Sequence, residues 1–118
     1  MTTTQLDTSL NSMLSLLGEG KFLEAMDEFL ADDVVLQEGL EEPKVGKAHC
    51  MALEAKVLED VAVFGGYTVS SIGIGENATF YQAIMDYTLK DGTRVIVDQC
   101  VADKWRDGKI VSQRFYQA

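Results

Sequence analysis

The stretch FLADDVVLQEG, Phe29 to Gly39, changes period in its middle. Phe29 and Leu30 extend an apolar stripe that includes Phe22 and Met26 at helical spacing, with Asp27 and Glu28 off it. From Val34 onward apolar and polar side chains alternate with a period of two. The spacing therefore predicts a helix that stops near Asp32 and a strand from Val34 to Glu38. Alternation places Glu38 on the sheet face of Val34 and Leu36, a face that belongs in a core. A carboxylate there is either at the rim or in a working site.

Working outward, Leu6, Leu10, Met13, Leu14 and Leu17 recur at helical spacing, which predicts an amphipathic helix from Thr4 to Leu17, ended by Gly18 and Gly20. On the other side, GLEEPKVG reads as a loop marked by Gly39, Pro43 and Gly46. KAHCMALEAKVLED favours a third helix from Lys47 to Asp60, with Ala48, Met51, Ala55 and Leu58 along one side and Gly65-Gly66 closing the segment. Four runs with period two follow: YTVSSIGI, TFYQAIMDYTL, TRVIVDQCVADKW and KIVSQRFYQ. Asp91-Gly92 and Asp107-Gly108 are hairpin turns. The order α-α-β-α-β-β-β-β implies an α+β architecture: a strongly curved, mostly antiparallel sheet with three helices on its concave face and a conical cavity between them.

Length and charge bound the functions. The 118 residues suit one domain, spanning 1–118. Ten Lys and Arg against 19 Asp and Glu give a net charge of −9, which repels phosphate backbones and anionic membrane surfaces, so neither nucleic acid nor membrane is expected as a partner. The N-terminal residues carry no basic export signal, no apolar run approaches the roughly 18 residues of a membrane span, and a cytoplasmic location is expected. Cys50 and Cys100 read as small apolar packing residues rather than a disulfide. His49 and Cys50 are adjacent, point about 100° apart on a helix and form no chelating pair, so no metal is expected. The glycines of GIGEN lead into another strand rather than a helix, which gives no nucleotide or flavin fingerprint and favours a cofactor-free site. Both faces of the TFYQAIMDYTL strand carry apolar residues: Tyr81, Ala83, Met85, Tyr87 and Leu89 on one, Phe80 and Ile84 on the other. The face without helices needs a cover, and a second subunit, making a homodimer through the open face of the sheet, is the simplest one.

The stretches LGEGKFLEAMDEFLADDVVLQEG, KVGKAHCMALEA and KWRDGKIVSQRFYQA together resemble the SnoaL-like branch of the nuclear transport factor and ketosteroid isomerase superfamily, over almost the whole chain. The resemblance implies a cone-shaped, cystatin-like α+β fold, commonly dimeric, whose cavity holds a small apolar molecule. Its members include isomerases, polyketide cyclases, dehydratases, epoxide hydrolases and proteins that only bind or scaffold, so function has to be argued from the site. By this resemblance Glu38 falls where ketosteroid isomerases carry their aspartate general base. The isomerase's oxyanion donors have no counterpart: Met13 occupies the first-helix tyrosine position within one residue, and Val101 the strand acid position.

Gln99, Val101, Asp103 and Trp105 share one strand parity, which the resemblance turns toward the cavity; it places Asp86 on the neighbouring strand there too. If Glu38, Asp86 and Asp103 converge, their repulsion keeps one of them protonated, giving an acid and a base together for isomerisation, cyclisation or dehydration of an apolar carbonyl compound. The expected ligand-binding residues are Met13, Leu17, Leu36, Leu58, Ile84, Gln99, Val101, Trp105 and Tyr116. Two other readings stay open: a non-catalytic binding protein for a small apolar metabolite, and a dimeric interaction module. For Asp86 and Asp103 the favoured placement by residue type is at exposed strand ends, paired with Lys104, Arg94 or Arg106.

Overall fold

A computed structural model describes residues 1–118. Its elements are α1 (Thr3–Gly18), α2 (Phe22–Phe29), β1 (Leu30–Glu38), β2 (Lys44–Val45), α3 (Lys47–Glu59), β3 (Val61–Gly75), β4 (Ala78–Leu89), β5 (Arg94–Arg106) and β6 (Lys109–Gln117). Six strands form one open sheet in the order β2-β1-β6-β5-β4-β3, antiparallel throughout except for the parallel pair β1–β6. This is the expected α+β class, with three helices against one face of a mixed sheet.

Local chemistry sets the ends of the elements. A capping box opens α1: the Gln5 amide donates to Thr2 Oγ1 at 3.1 Å, and the Thr2 amide donates to Gln5 Oε1 at 2.9 Å. Helix α2 ends at Phe29 rather than near Asp32, and β1 begins at once with Leu30. Asp32 and Asp33 lie inside the strand, both exposed, where the β1–β6 register shifts between Leu30 and Val35. That irregularity lets two successive carboxylates reach water, where Lys47 and Arg106 lie within ion-pair distance of them. The expected loop after Glu38 contains the two-residue strand β2, paired with Val35 and Leu36.

Gly65-Gly66 does not close the third-helix segment. Both residues lie within β3, which starts at Val61, and the β3–β4 register shifts at this point. A Cβ on Gly65 would come within 2.9 Å of the Asp86 carboxyl carbon, and Gly66 has a φ of 148°. The glycines thus let a long strand bend across its neighbour, which is how a sheet becomes concave.

The core lies in the concavity. Leu6, Leu10 and Met13 of α1, Ala25 and Phe29 of α2 and Cys50 of α3 are buried with Val34, Leu36, Tyr81, Ala83, Val101, Trp105 and Ile110 of the sheet. Trp105 closes one end: its Nε1–H donates to Thr79 Oγ1 at 2.8 Å and its ring meets Phe29 edge to face. The opposite sheet face carries no helix and leaves Phe80, Ile84, Ile96 and Tyr116 exposed. No helix is long and apolar enough to cross a membrane.

Because Leu10 has no exposed surface, Leu10→Ala is expected to lower stability by about 2–5 kcal/mol in urea denaturation. A loss below about 1 kcal/mol would mean that α1 is not seated in the sheet as described.

Candidate functional site

Between the helices and the concave sheet lies a pocket of about 220 Å³, with 13 hydrophobic residues among its 18 lining residues. Met13 and Leu17 of α1, Phe22, Ala25 and Met26 of α2, and Leu53 and Val57 of α3 make an apolar roof. Polar groups cluster on the sheet side and along one edge: Glu38 at the end of β1, Lys44 of β2, Glu54 of α3, and Tyr67, Tyr81, Gln99 and Gln113 from β3 to β6. Pairing places Glu38 opposite Phe115, Phe115 opposite Val101, and Val101 opposite Tyr81. Glu38 and Tyr81 therefore end one row across four strands, about 14 Å apart were the sheet flat. The concave bend turns both side chains into the same pocket.

The carboxylates of Glu38 and Glu54 form no ion pair or hydrogen bond with the rest of the chain, although Lys44 lines the same pocket. Burial raises the Glu54 carboxyl above its ordinary range; the Glu38 charge adds to this and Lys44 opposes it. The Tyr67 hydroxyl is raised chiefly by burial, with Gln99 and Tyr81 opposing. Tyr81 is pushed well up by burial and then by Asp103 and Tyr67. Both phenols therefore keep their protons near neutral pH and act as donors.

On the inward face of β5, Asp103 is 1 % exposed and neither carboxyl oxygen has a hydrogen-bond partner. Burial lifts it to about 7, with the adjoining Gln113 opposing.

Of the residues singled out from sequence, Glu38, Met13, Leu17, Leu36 and Gln99 line the pocket. Asp103, Val101 and Trp105 share the inward parity of Gln99 but lie buried in the core without lining the pocket. Asp86 does not face the cavity. Tyr81, Ala83 and Met85 point inward along β4, so Phe80, Ile84 and Asp86 point outward. There Asp86 accepts from Arg94 Nε and Nη2 at 3.1 and 2.8 Å, and this pairing lowers its titration. Ile84 on the same face is exposed, and Tyr116 lies outside beneath the Arg114 guanidinium, 5.0 Å from the ring centre. Leu58 is not a lining residue, because α3 is rotated from the expected stripe and presents Cys50, Leu53, Glu54 and Val57.

The sequence reading passed over Glu54, Lys44, Tyr67, Tyr81 and Gln113 as site residues. Glu54 stands one helical turn after the buried Cys50, the one signal that would have turned it inward. No three His, Cys, Asp or Glu side chains gather in a way that holds a metal ion.

No family model and no curated protein matches this sequence. Solved structures do match its fold. A Mesorhizobium loti protein called a SnoaL-like polyketide cyclase superposes with a TM-score of 0.82 at 24% identity, covering 98% of this chain and 99% of that one. An LEH-like epoxide hydrolase of M. tuberculosis gives 0.81 at 21% identity over 98% and 84%. A Catenulispora acidiphila protein with a ketosteroid isomerase-like fold, in complex with trimethylamine, gives 0.73 at 14% identity over 88% and 83%. The chain thus has the nuclear transport factor-like, ketosteroid isomerase-like fold. Proteins of that one fold carry different activities in their names, so the fold does not select a reaction.

The buried Asp103 gives a test by stability. Its folded value of about 7 lies above the ordinary 3.8, so its stabilising share is whole below about pH 4 and is lost as pH rises to about 7. Relative to wild type, Asp103→Asn is expected to gain stability between pH 5 and 8, by roughly 4 kcal/mol at most. Parallel stability curves for the two proteins would contradict the assignment.

Proposed function

We propose that this protein is a SnoaL-like, cofactor-independent isomerase, cyclase or dehydratase that moves protons on a small apolar carbonyl compound. The observation that carries this reading is the pair of unpartnered carboxylates, Glu38 and Glu54, in one apolar pocket with two protonated phenols. Glu38 takes a proton from the carbon next to the carbonyl. Tyr81 and Tyr67 hydrogen-bond the carbonyl oxygen as negative charge develops on it. Glu54, held toward its neutral form, returns a proton to another carbon or to a departing hydroxyl. These phenols do the work for which Met13 and Val101 offer no donor.

A volume of about 220 Å³ is below the roughly 300 Å³ at which drug-sized ligand sites begin, so the substrate is compact. A non-catalytic binding protein would draw on the same apolar walls but leaves the unpaired carboxylates without a purpose. Two free cysteines suit action in a reducing cytoplasm. The exposed apolar residues of the outer sheet face support a homodimer formed through that face.

Two measurements test these proposals. In deuterated buffer the protein is expected to speed exchange of the α-hydrogens of a compact apolar ketone such as acetophenone, with Glu38→Gln reducing that rate about 100-fold or more. Exchange no faster than in buffer, or unchanged in Glu38→Gln, would overturn the acid-base reading. Sedimentation at micromolar concentration is expected to show a dimer that Phe80→Glu dissociates; a monomeric wild type would overturn the second proposal.

A further inference from the structure

Asp103 is the most anomalous side chain in the molecule. A carboxyl with both oxygens buried and unpartnered destabilises a core that a leucine would fill without penalty. Strand register places it between Thr79 on β4 and Gln113 on β6. The Thr79 hydroxyl already accepts from Trp105. Gln113 is 8 % exposed, lines the pocket, and is the one polar group that eases the ionisation of Asp103. Its carboxamide therefore stands between the orphan acid and the ligand space.

A carboxamide offers two donors at one end and an acceptor at the other, and the two ends are nearly equal in size. A neutral carboxyl can donate, whereas an ionised one only accepts. We propose that Asp103 sets the hydrogen-bond polarity that Gln113 presents to the pocket. Neutral Asp103 donates its O–H to Gln113 Oε1, which turns the Nε2 hydrogens toward the ligand, where they donate to a carbonyl oxygen. Ionised Asp103 accepts from Nε2, which turns Oε1 into the pocket, where it repels a carbonyl and suits a hydroxyl donor. Asp103 is thus a positioning residue that makes the site select acceptor-bearing ligands in one state and donor-bearing ligands in the other. This rests on the reading of the pocket as a carbonyl site.

The surroundings permit both states near neutrality. Burial brings the acid to about 7. The titratable groups that couple to it are Tyr81 from β4 and Tyr67 from β3, both raised and therefore uncharged there. The buried residues of α1 and α2 are Leu6, Leu10, Met13, Ala25 and Phe29, all apolar. From β1 come Val34 and Leu36. No cation acts on the carboxyl to fix it as an anion.

The test is a pH titration from 5 to 9 of the Asp103 carboxyl carbon and the Gln113 side-chain amide by NMR, with acetophenone and benzyl alcohol as binding probes. The Gln113 resonances are expected to move with the midpoint of Asp103. Acetophenone affinity is expected to fall about tenfold across that midpoint, the worth of one hydrogen bond, while benzyl alcohol affinity rises. Asp103→Asn and Gln113→Met should each abolish the opposed changes in the two affinities at the Asp103 midpoint. Gln113 resonances that stay still while Asp103 titrates, or acetophenone binding that is absent or flat with pH, would overturn the proposal. Neither readout needs catalysis, so an intact switch without hydrogen exchange would sink only the acid-base reading.

Discussion

The parallel pairing of β1 with β6 is the contact on which the rest of the structure depends. It joins Leu30 to Ile110, Leu36 to Gln113 and Glu38 to Phe115, across nearly the whole chain. Parallel neighbours need a long crossover, and here the crossover consists of β2, α3 and the other three strands. Its far end is pinned twice: the Gly39 amide donates to the Phe115 carbonyl at 2.8 Å, and Arg114 Nε and Nη2 donate to the Gly39 carbonyl. Remove the pairing and β1 leaves the sheet, carrying with it β2, which pairs with β1 alone, and the strand on which α3 packs, so that Glu38 and Glu54 no longer face Tyr67 and Tyr81. The same contact puts Glu38 in one row with Tyr81.

Concavity then determines what the pocket can be. A sheet bent at Gly65-Gly66 and covered by helices on one side leaves space that the roof side chains do not fill. Along β5 and β6 the inward parity carries Gln99, Asp103 and Gln113 among Val101, Trp105 and Phe115. Three polar residues on a face that folding alone would make apolar cost stability, and such local exceptions gather where a site is built. The surface ion pairs, by contrast, join largely exposed groups and contribute little.

Much of this was legible from residue patterns alone. Period-two alternation assigned the inward face to Val34, Leu36 and Glu38, and it grouped Gln99, Val101, Asp103 and Trp105 on one face, which the family resemblance turned inward. Asp86 was misplaced where likeness to a family was preferred to parity, since Tyr81, Ala83 and Met85 already turn it outward. Glu54 was hidden because α3 has weak amphipathic patterning: alanines and leucines occur on several sides, and only packing on β1 selects the Cys50 and Glu54 face. Strand β2, two residues long, is too short for periodicity to reveal, and the glycine pair of β3 gives the same local signal whether it ends an element or bends one.

The central claim is that the Glu38 charge and burial together hold Glu54 toward its neutral form inside the pocket, and the carboxyl carbon of Glu54, followed by NMR against pH, tests it most directly. In the wild type Glu54 is expected to titrate above the ordinary carboxylate range, and in Glu38→Gln to move part of the way back, because burial remains after the neighbouring charge is gone. Titration of Glu54 in the ordinary range, unaltered by Glu38→Gln, would contradict the claim and leave two independent carboxylates at the rim of an apolar pocket.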